Sequence, residues 1–217
     1  MKGVLSFFCT LIFSLLSVML LSCSDSTPQV STVQSTVVFD FADEKSSPSL
    51  RLSIFAETQG DVHRAGEIRL YHEESGMEWL CKSPQKIAGN DKKSWAGHRN
   101  FVFPGEASVP QGRYTLYYDD LSGRECTADF NVSFPQEHTK LKASDFPEAI
   151  NGSRTEKLSI YDASGVLIYW GERKRSWKKD SNILNDYGTA VKYRTCYYTN
   201  GSSVAYLMPE KSLLNDK

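Results

Sequence analysis

The sequence predicts an all-β fold, an antiparallel β-sandwich, from a two-residue hydrophobic period, glycine-centred turns and a scarcity of helical pattern. In residues 50–57 every second side chain is apolar, and the same alternation runs from Cys126 to Phe134. Successive side chains of a strand point to opposite faces, so this period is typical of strands with one buried and one solvated face. Sheets of that kind bury their apolar faces against each other, which favours a sandwich.

Four hairpin turns are indicated. Residues 70–79, 116–126 and 159–170 share a pattern of an aromatic residue at a strand end, an acidic residue, Ser-Gly and a second strand. Glycine supplies the positive φ that tight turns need, and Asp or Ser side chains bond back to the turn backbone. Asn200-Gly201 is the strongest short-range hairpin signal in the chain. The strands before and after each turn should therefore pair.

Helical pattern is confined to two short segments, residues 142–152 and 181–188, each long enough for a turn or two. We expect a β-sandwich domain over residues 37–134 and a linker or crossover over residues 135–155, where two Phe-Pro steps interrupt the period. Residues 156–217 are expected to form C-terminal hairpins that either complete the sandwich or make a small second sheet.

Residues 109–134, VPQGRYTLYYDDLSGRECTADFNVSF, carry a resemblance to known modules. The order Pro-x-Gly, Tyr, alternating strand, Gly turn and alternating strand resembles the closing hairpins of Ig-like and prealbumin-like β-sandwich modules of bacterial envelope proteins. The resemblance implies a sandwich and no particular activity.

The N-terminus differs in kind from the rest of the chain. Lys2 precedes Val4–Leu21, which is 18 residues without a charge. Such a run is a targeting or anchoring segment and not part of the fold. Its length is long for the apolar part of a signal peptide and short for a spanning helix, so length alone leaves both open. No Lys or Arg follows it until Lys45, which favours removal by a peptidase.

The sequence Leu20-Leu21-Ser22-Cys23 resembles a bacterial lipobox, with Leu at the second position before the cysteine as its departure from the common pattern. The resemblance implies a signal peptide over residues 1–22, a diacylglyceryl group on the sulfur of Cys23 and acylation of its freed amine, with palmitate among the fatty acids. Residues 23–36 would be the lipidated Cys and a flexible tether, and the domain would be held to a membrane of the bacterial cell envelope, outside the cytoplasm. Cleavage after Ser24 and an uncleaved anchor are the alternatives.

Charge and motifs exclude several functions. The net charge is −1, so no overall field draws the protein to nucleic acid, which an exported protein would also rarely meet. The four histidines, His63, His72, His98 and His138, have no metal-ligand spacing, and the chain has no GxSxG, P-loop or dinucleotide-binding glycine run. We therefore assign no catalytic residue, no metal ligand and no cofactor.

Cysteine usage adds one structural hypothesis. Besides Cys9 in the signal segment and Cys23, the chain has Cys81, Cys126 and Cys196. Strand parity places Cys81 and Cys126 on core-facing positions, and a disulfide between them is permitted outside the cytoplasm. The alternative is that both are small hydrophobic core residues.

The C-terminal third carries the candidate binding surface. Residues 170–180, WGERKRSWKKD, combine cations with two tryptophans. The candidate ligand or partner surface consists of Trp170, Arg173, Lys174, Arg175, Trp177, Lys178 and Lys179. Aromatic area with positive charge suits an anionic or carbohydrate ligand, a lipid headgroup or another envelope protein. The alternative is a tyrosine-rich core with a solvated basic loop.

These observations predict a membrane-anchored bacterial envelope lipoprotein that acts as a non-catalytic binding or structural module. The rival class is an envelope hydrolase whose site is assembled across loops. A third hypothesis is a lipocalin-like carrier of an apolar ligand, which requires the tyrosine-rich strands to close around a cavity.

Overall fold

The computed structural model of the chain describes residues 27–59, 62–89, 94–103 and 108–213. Its strands are β1 (Gln29–Asp40), β2 (Ser49–Gln59), β3 (Ala65–His72), β4 (Glu78–Cys81), β5 (Gln85–Ala88), β6 (Ser94–Phe101), β7 (Gly112–Asp120), β8 (Glu125–Val132), β9 (Thr155–Asp162), β10 (Leu167–Gly171), β11 (Ala190–Thr199), β12 (Val204–Leu207) and β13 (Lys211–Ser212). One α-helix is described, α1 (Ser181–Asp186), with short 3-10 turns at Val62–Arg64, Gln136–Lys140, Ala143–Asp145 and Asn200–Ser202.

The strands form two sheets, and the predicted all-β sandwich is confirmed. The large sheet has nine strands in the order β10-β9-β11-β12-β1-β2-β6-β5, with β13 paired to β11. The small sheet has four strands in the order β4-β3-β7-β8. All pairs are antiparallel except β1 with β12, which run parallel.

The main core lies between the two sheets. Phe39, Leu52 and Ile54 of the large sheet are fully buried, as are Ile68 and Leu116 of the small one, and all belong to one hydrophobic cluster. The strand β2 alternates buried and half-buried residues along its length, as its two-residue period predicts. The strand β8 shows the same alternation with more exposure, because it is an edge strand.

All four predicted hairpins form. The pairs β3–β4, β7–β8, β9–β10 and β11–β12 are antiparallel neighbours. Their turns contain Gly76, Gly123, Gly165 and Gly201, each with positive φ. The predicted short helical segments appear as the 3-10 turn Ala143–Asp145 and as α1.

The first strand begins earlier than the sequence predicts. The tether was expected to extend to residue 36, but residues 29–36 form the first part of β1 and pair with β2 from Gln29↔Gln59 to Thr36↔Ser53. The expectation was wrong for these residues because a polar Ser/Thr/Gln segment can be a strand when a long neighbour satisfies its backbone hydrogen bonds. Residues 1–26, with the predicted signal peptide and Cys23, lie outside the described residues.

Residues 135–155 cross from the small sheet to the large one. They pass from β8 to β9 and bury His138, Phe146 and Ile150 in the main core. The His138 Nδ1 and the Tyr206 hydroxyl are hydrogen-bonded at 2.7 Å, and burial lowers the pKa of His138. The strands that follow join the same nine-stranded sheet as β1, so the C-terminal hairpins extend the sandwich and do not form a second sheet.

A second, smaller core covers the far part of the large sheet. Leu158 and Ile160 of β9 and Tyr193 of β11 pack with Trp177 and with Ile183 of α1. The inner face of the large sheet is thus covered by the small sheet at one end and by the α1 region at the other. Among the described residues, no helix is long and apolar enough to cross a membrane.

Of the two hypotheses for Cys81 and Cys126, the disulfide is wrong, and the alternative, that both are small hydrophobic residues of the core, fits the structure. Both residues are free, as is Cys196. In the register of the small sheet, Cys81 lies opposite Ile68, Ile68 opposite Tyr118, and Tyr118 opposite Cys126. The two cysteines therefore lie on the two edge strands of this sheet. Three strand spacings of about 4.8 Å separate them by roughly 14 Å, whereas a disulfide needs Cα atoms within about 7 Å. Strand parity identified the face correctly, but the bridge also depended on strand order.

Thiol counting tests this correction. Denatured, unreduced mature protein is expected to react at Cys81, Cys126 and Cys196, because the structure leaves all three unpaired. Alkylation followed by mass spectrometry of the peptides measures this. Recovery of Cys196 as the single reactive thiol would contradict the strand order of the small sheet.

Candidate functional site

The outer face of the large sheet forms the most distinctive cavity of the fold. One cavity of about 640 Å³ is lined by side chains from all eight strands of the main path, β10 to β5. Both flanks of the sheet contribute to it, so the sheet curves around this face. We call this surface the outer trough.

The walls of the outer trough are aromatic and its floor is aliphatic. Its aromatic side chains are Phe55, Trp95, Tyr161, Trp170 and Tyr198. Val38, Cys196 and Ala205 form the floor, where they are buried even though no second layer covers them among the described residues. The curvature of the sheet accounts for that burial, because it brings the two flanks toward each other over the central strands.

A glycine shapes one wall. Gly97 of β6 lies opposite Phe55 of β2, and a Cβ at this position would lie 2.6 Å from the Phe55 Cδ1 atom and 2.1 Å from the Ile54 carbonyl oxygen. The Phe55 ring therefore lies across the backbone of β6, in space that any other residue would occupy. This contact keeps β2 and β6 close and holds the ring in the wall.

Positive charge concentrates at one part of the outer trough. Arg51 and Arg99 line it, and the Arg51 Nη1 donates to the Arg99 carbonyl at 2.7 Å. Asp40 lies 3.5 Å from Arg51 and accepts from the Arg194 Nη2 at 2.6 Å. Within the described part of the chain Arg99 makes no ion pair. Arg51 and Arg194 thus share the Asp40 carboxylate, and Arg99 adds a third guanidinium without a carboxylate of its own among the described residues, which leaves this part positively charged.

The cysteine in the floor is not a reactive one. Cys196 is buried, and burial raises the pKa of its thiol to about 11. Burial also raises the pKa of the Tyr198 hydroxyl beside it. Since the thiolate is the nucleophile, this cysteine belongs to the floor and not to a catalytic site.

The predicted surface in residues 170–179 is divided by the structure. Trp170 is 47% exposed and lines the outer trough, whereas Trp177 is 1% exposed and belongs to the second core. The indole Nε1 of Trp177 donates to the Asp186 Oδ2 at 2.9 Å. Placing Trp177 on a ligand surface was therefore wrong, because the loop folds back over β9 and β11 and buries the ring.

Two of the five cations of the predicted ligand surface form ion pairs with neighbouring carboxylates. Arg173 lies 3.3 Å from Asp180 and 3.7 Å from Glu156. Lys174 forms an ion pair with Asp186 at 2.9 Å, and its Nζ is 4.9 Å from the Trp177 ring centroid. These contacts hold the loop against the second core.

The remaining three cations face solvent. Arg175, Lys178 and Lys179 are exposed and make no ion pair with the described residues. Arg175 and Lys178 line an open groove of about 820 Å³, which also contains Glu156 and Glu172. The groove is also lined by three more cations, Arg154, Arg173 and Lys174. Its cations therefore outnumber its two glutamates, but its described lining residues include no exposed aromatic side chain of the kind that lines the outer trough.

Catalytic and metal chemistry find little support in the described residues. No group of three or more His, Cys, Asp or Glu side chains there is arranged to hold a metal ion. The His72 Nδ1 lies 2.7 Å from the Ser75 Oγ, but that oxygen also accepts from the Met77 backbone N–H at 3.3 Å. Both contacts close the β3–β4 turn, and the His72 ring is buried against Tyr114.

Sequence reasoning missed most of the outer trough. The period of β2 assigned Phe55 to a solvated face, and Trp95 was not assigned to a site. The available signal was an aromatic residue on an otherwise polar face. An aromatic residue on a polar face indicates a binding surface only once it is known that β9 to β12 join β1 and β2 in one curved sheet, because the other aromatic side chains lie on those strands.

The chain was compared with protein-family models, with curated proteins and with solved structures, and none of the three comparisons found a match.

Proposed function

We propose that this protein is a membrane-anchored lipoprotein of the bacterial cell envelope whose β-sandwich is a non-catalytic binding module. The single observation that carries the binding role is the outer trough, where five aromatic side chains from both flanks line one concave face. Binding sites are concave, largely apolar and supplied with a few polar groups, and this surface has each of these properties.

The membrane anchor rests on the lipobox resemblance at Leu20 to Cys23 and on the short distance from there to the fold. Five residues lie between Cys23 and Gln29, where β1 begins, which makes six Cα-to-Cα steps. A chain of that length spans roughly 20 Å at full extension. Acylated Cys23 would thus hold the sandwich close to the lipid headgroups, and the trough would meet ligands at the membrane surface.

The other two hypotheses receive less support. A lipocalin-like carrier needs a closed barrel, but β10 and β5 end the main path and do not pair with each other in the described chain. An envelope hydrolase needs an activated nucleophile beside a pocket, whereas the Ser75 and His72 pair closes a turn and the Cys196 thiol has a raised pKa.

The lipid anchor is tested by metabolic labelling with a palmitate analogue. The wild-type protein is expected to carry the label, and Cys23→Ser to lose it completely, because its side chain offers no sulfur to which the diacylglyceryl group can be attached. Cys126→Ser is the matched control and is expected to keep the label. An unlabelled wild-type protein, or a labelled Cys23→Ser variant, would contradict the lipoprotein assignment.

A further inference from the structure

We propose that the outer trough binds an acidic oligosaccharide, with its sugar rings against the aromatic walls and an acidic group at Arg51 and Arg99. The inference rests on the proposed function, since it names the ligand class of the same surface. It is carried by three features of the trough: its aromatic walls, its unpaired polar groups and its positive charge.

The aromatic walls suit sugar rings. Phe55 and Trp95 stand on one flank, and Tyr161 and Trp170 stand on the other. A pyranose ring has a face of C–H groups, which the negative face of an aromatic ring attracts, while its hydroxyls point outward around the rim. Trp170 meets Tyr198 edge-to-face, with the ring centroids 6.3 Å apart, and this contact supports the ring in the wall.

Polar side chains between the walls match hydroxyls. Gln34 and Ser53 line the trough and make no side-chain hydrogen bond to any described residue. Thr36 donates to the Ser202 carbonyl at 2.8 Å and Ser159 to the Arg194 carbonyl at 3.3 Å, so both hydroxyl oxygens can still accept from a ligand. A hydroxyl-bearing ligand would satisfy these groups, whereas an apolar ligand would cover them and leave them without partners.

The charge favours an acidic ligand over a neutral one. Arg51 and Arg99 line the trough, and Asp40, the carboxylate that pairs with Arg51, is shared with Arg194. A guanidinium with no competing carboxylate binds carboxylate or phosphate through paired hydrogen bonds. Arg99 is the stronger candidate, since its side chain is exposed and makes no ion pair within the described residues.

The open shape argues against an acyl chain. No described element covers the trough, so an acyl chain lying in it would keep one side in water and lose much of the gain from burial. A sugar ring needs only one face covered, because its hydroxyl edge remains solvated. We therefore favour the oligosaccharide over a fatty acid, which becomes the competing probe in the test.

Tryptophan fluorescence of the detergent-solubilised full-length protein provides the test. Trp95 and Trp170 line the trough, while Trp79 and Trp177 pack in the two cores, so emission changes report chiefly on the trough. The probes are an oligogalacturonate, its neutral methyl ester, a phosphorylated maltooligosaccharide and dodecanoate. Saturable binding of either acidic sugar is expected, with the methyl ester at least about tenfold weaker than the oligogalacturonate.

Three variants locate the binding. Arg99→Gln is expected to weaken binding of the acidic sugar by about tenfold, and Trp170→Ala is expected to weaken acidic and neutral sugars alike. Arg175→Gln, a matched change in the basic loop outside the trough, is expected to leave binding unchanged. The proposal would be overturned if Arg175→Gln weakened binding of the acidic sugar and Arg99→Gln left it unchanged.

Two further results would overturn the ligand class in different ways. Trough-dependent binding of dodecanoate without binding of either acidic sugar would reject the oligosaccharide but retain a binding trough. If none of the probes binds, the oligosaccharide is rejected. The proposed binding role is then tested on its own, by measuring whether Trp95 and Trp170 are less accessible in intact envelopes than in the purified protein.

Discussion

Replacing Trp177 by alanine is expected to lower the free energy of unfolding by about 3–5 kcal/mol. The ring is 1% exposed and packs with Leu158, Ile160 and Ile183. It also meets the Tyr169 ring edge-to-face, with the centroids 5.1 Å apart. Truncation would empty the centre of the second core and leave the Asp186 carboxylate without its indole donor.

Urea unfolding followed by circular dichroism measures this loss. Trp170→Ala is the matched control in the same segment, and its expected cost is below about 1 kcal/mol, because the Trp170 ring is 47% exposed. If Trp177→Ala does not fold, Trp177→Phe is expected to fold with an intermediate loss. Equal stability of the two alanine variants would mean that Trp177 is not a core residue.

Replacing Gly97 by alanine is expected to cost about 3 kcal/mol. The added Cβ would lie 2.1 Å from the Ile54 carbonyl oxygen, which belongs to the backbone of β2, and 2.6 Å from the Phe55 ring. Relief requires β2 and β6 to separate or the Phe55 ring to turn into the trough. The variant should therefore lose stability and change the shape of the trough together.

Gly188→Ala provides the control for this substitution. An added Cβ at Gly188 would meet only the Leu184 carbonyl oxygen, at 3.9 Å, which is an ordinary contact. Its thermal midpoint is expected to stay close to that of the wild type, whereas that of Gly97→Ala should fall. Similar midpoints for both variants would contradict the close approach of Phe55 to the β6 backbone.

The local structure of this protein is readable from its sequence. Alternation in residues 50–57 identified the core face of β2, and Gly76, Gly123, Gly165 and Asn200-Gly201 marked turns that form. These features depend on neighbours in the chain. Side-chain parity and turn chemistry are set within a few residues, so the sequence contains them directly.

What the sequence does not reveal depends on strand order. The segment 29–36 is a strand because β2 is long enough to pair with it, and Cys81 and Cys126 are apart because two strands lie between them. Trp170 and Trp177 differ in burial because β10 presents Trp170 to the outer face while the following loop returns to the inner one. Each of these outcomes involves residues distant in the chain.

The outer trough shows the same dependence most clearly. Its aromatic side chains come from β2, β6, β9, β10 and β11, which extend over more than half of the chain. No single motif contains them. Only the pairing of β12 with β1, which joins the C-terminal strands to the N-terminal ones, brings them to one surface.

Hydroxyl-radical footprinting of the protein in intact envelopes tests the central claim, that the outer trough is the binding surface. Trp95 and Trp170 are expected to be oxidised more slowly in envelopes than in the purified protein, because a ligand covers them. Trp177, which is buried, should react slowly in both samples, and exposed Met77 beyond the trough should react readily in both. Equal oxidation of Trp95 and Trp170 in envelopes and in the purified protein would contradict the claim.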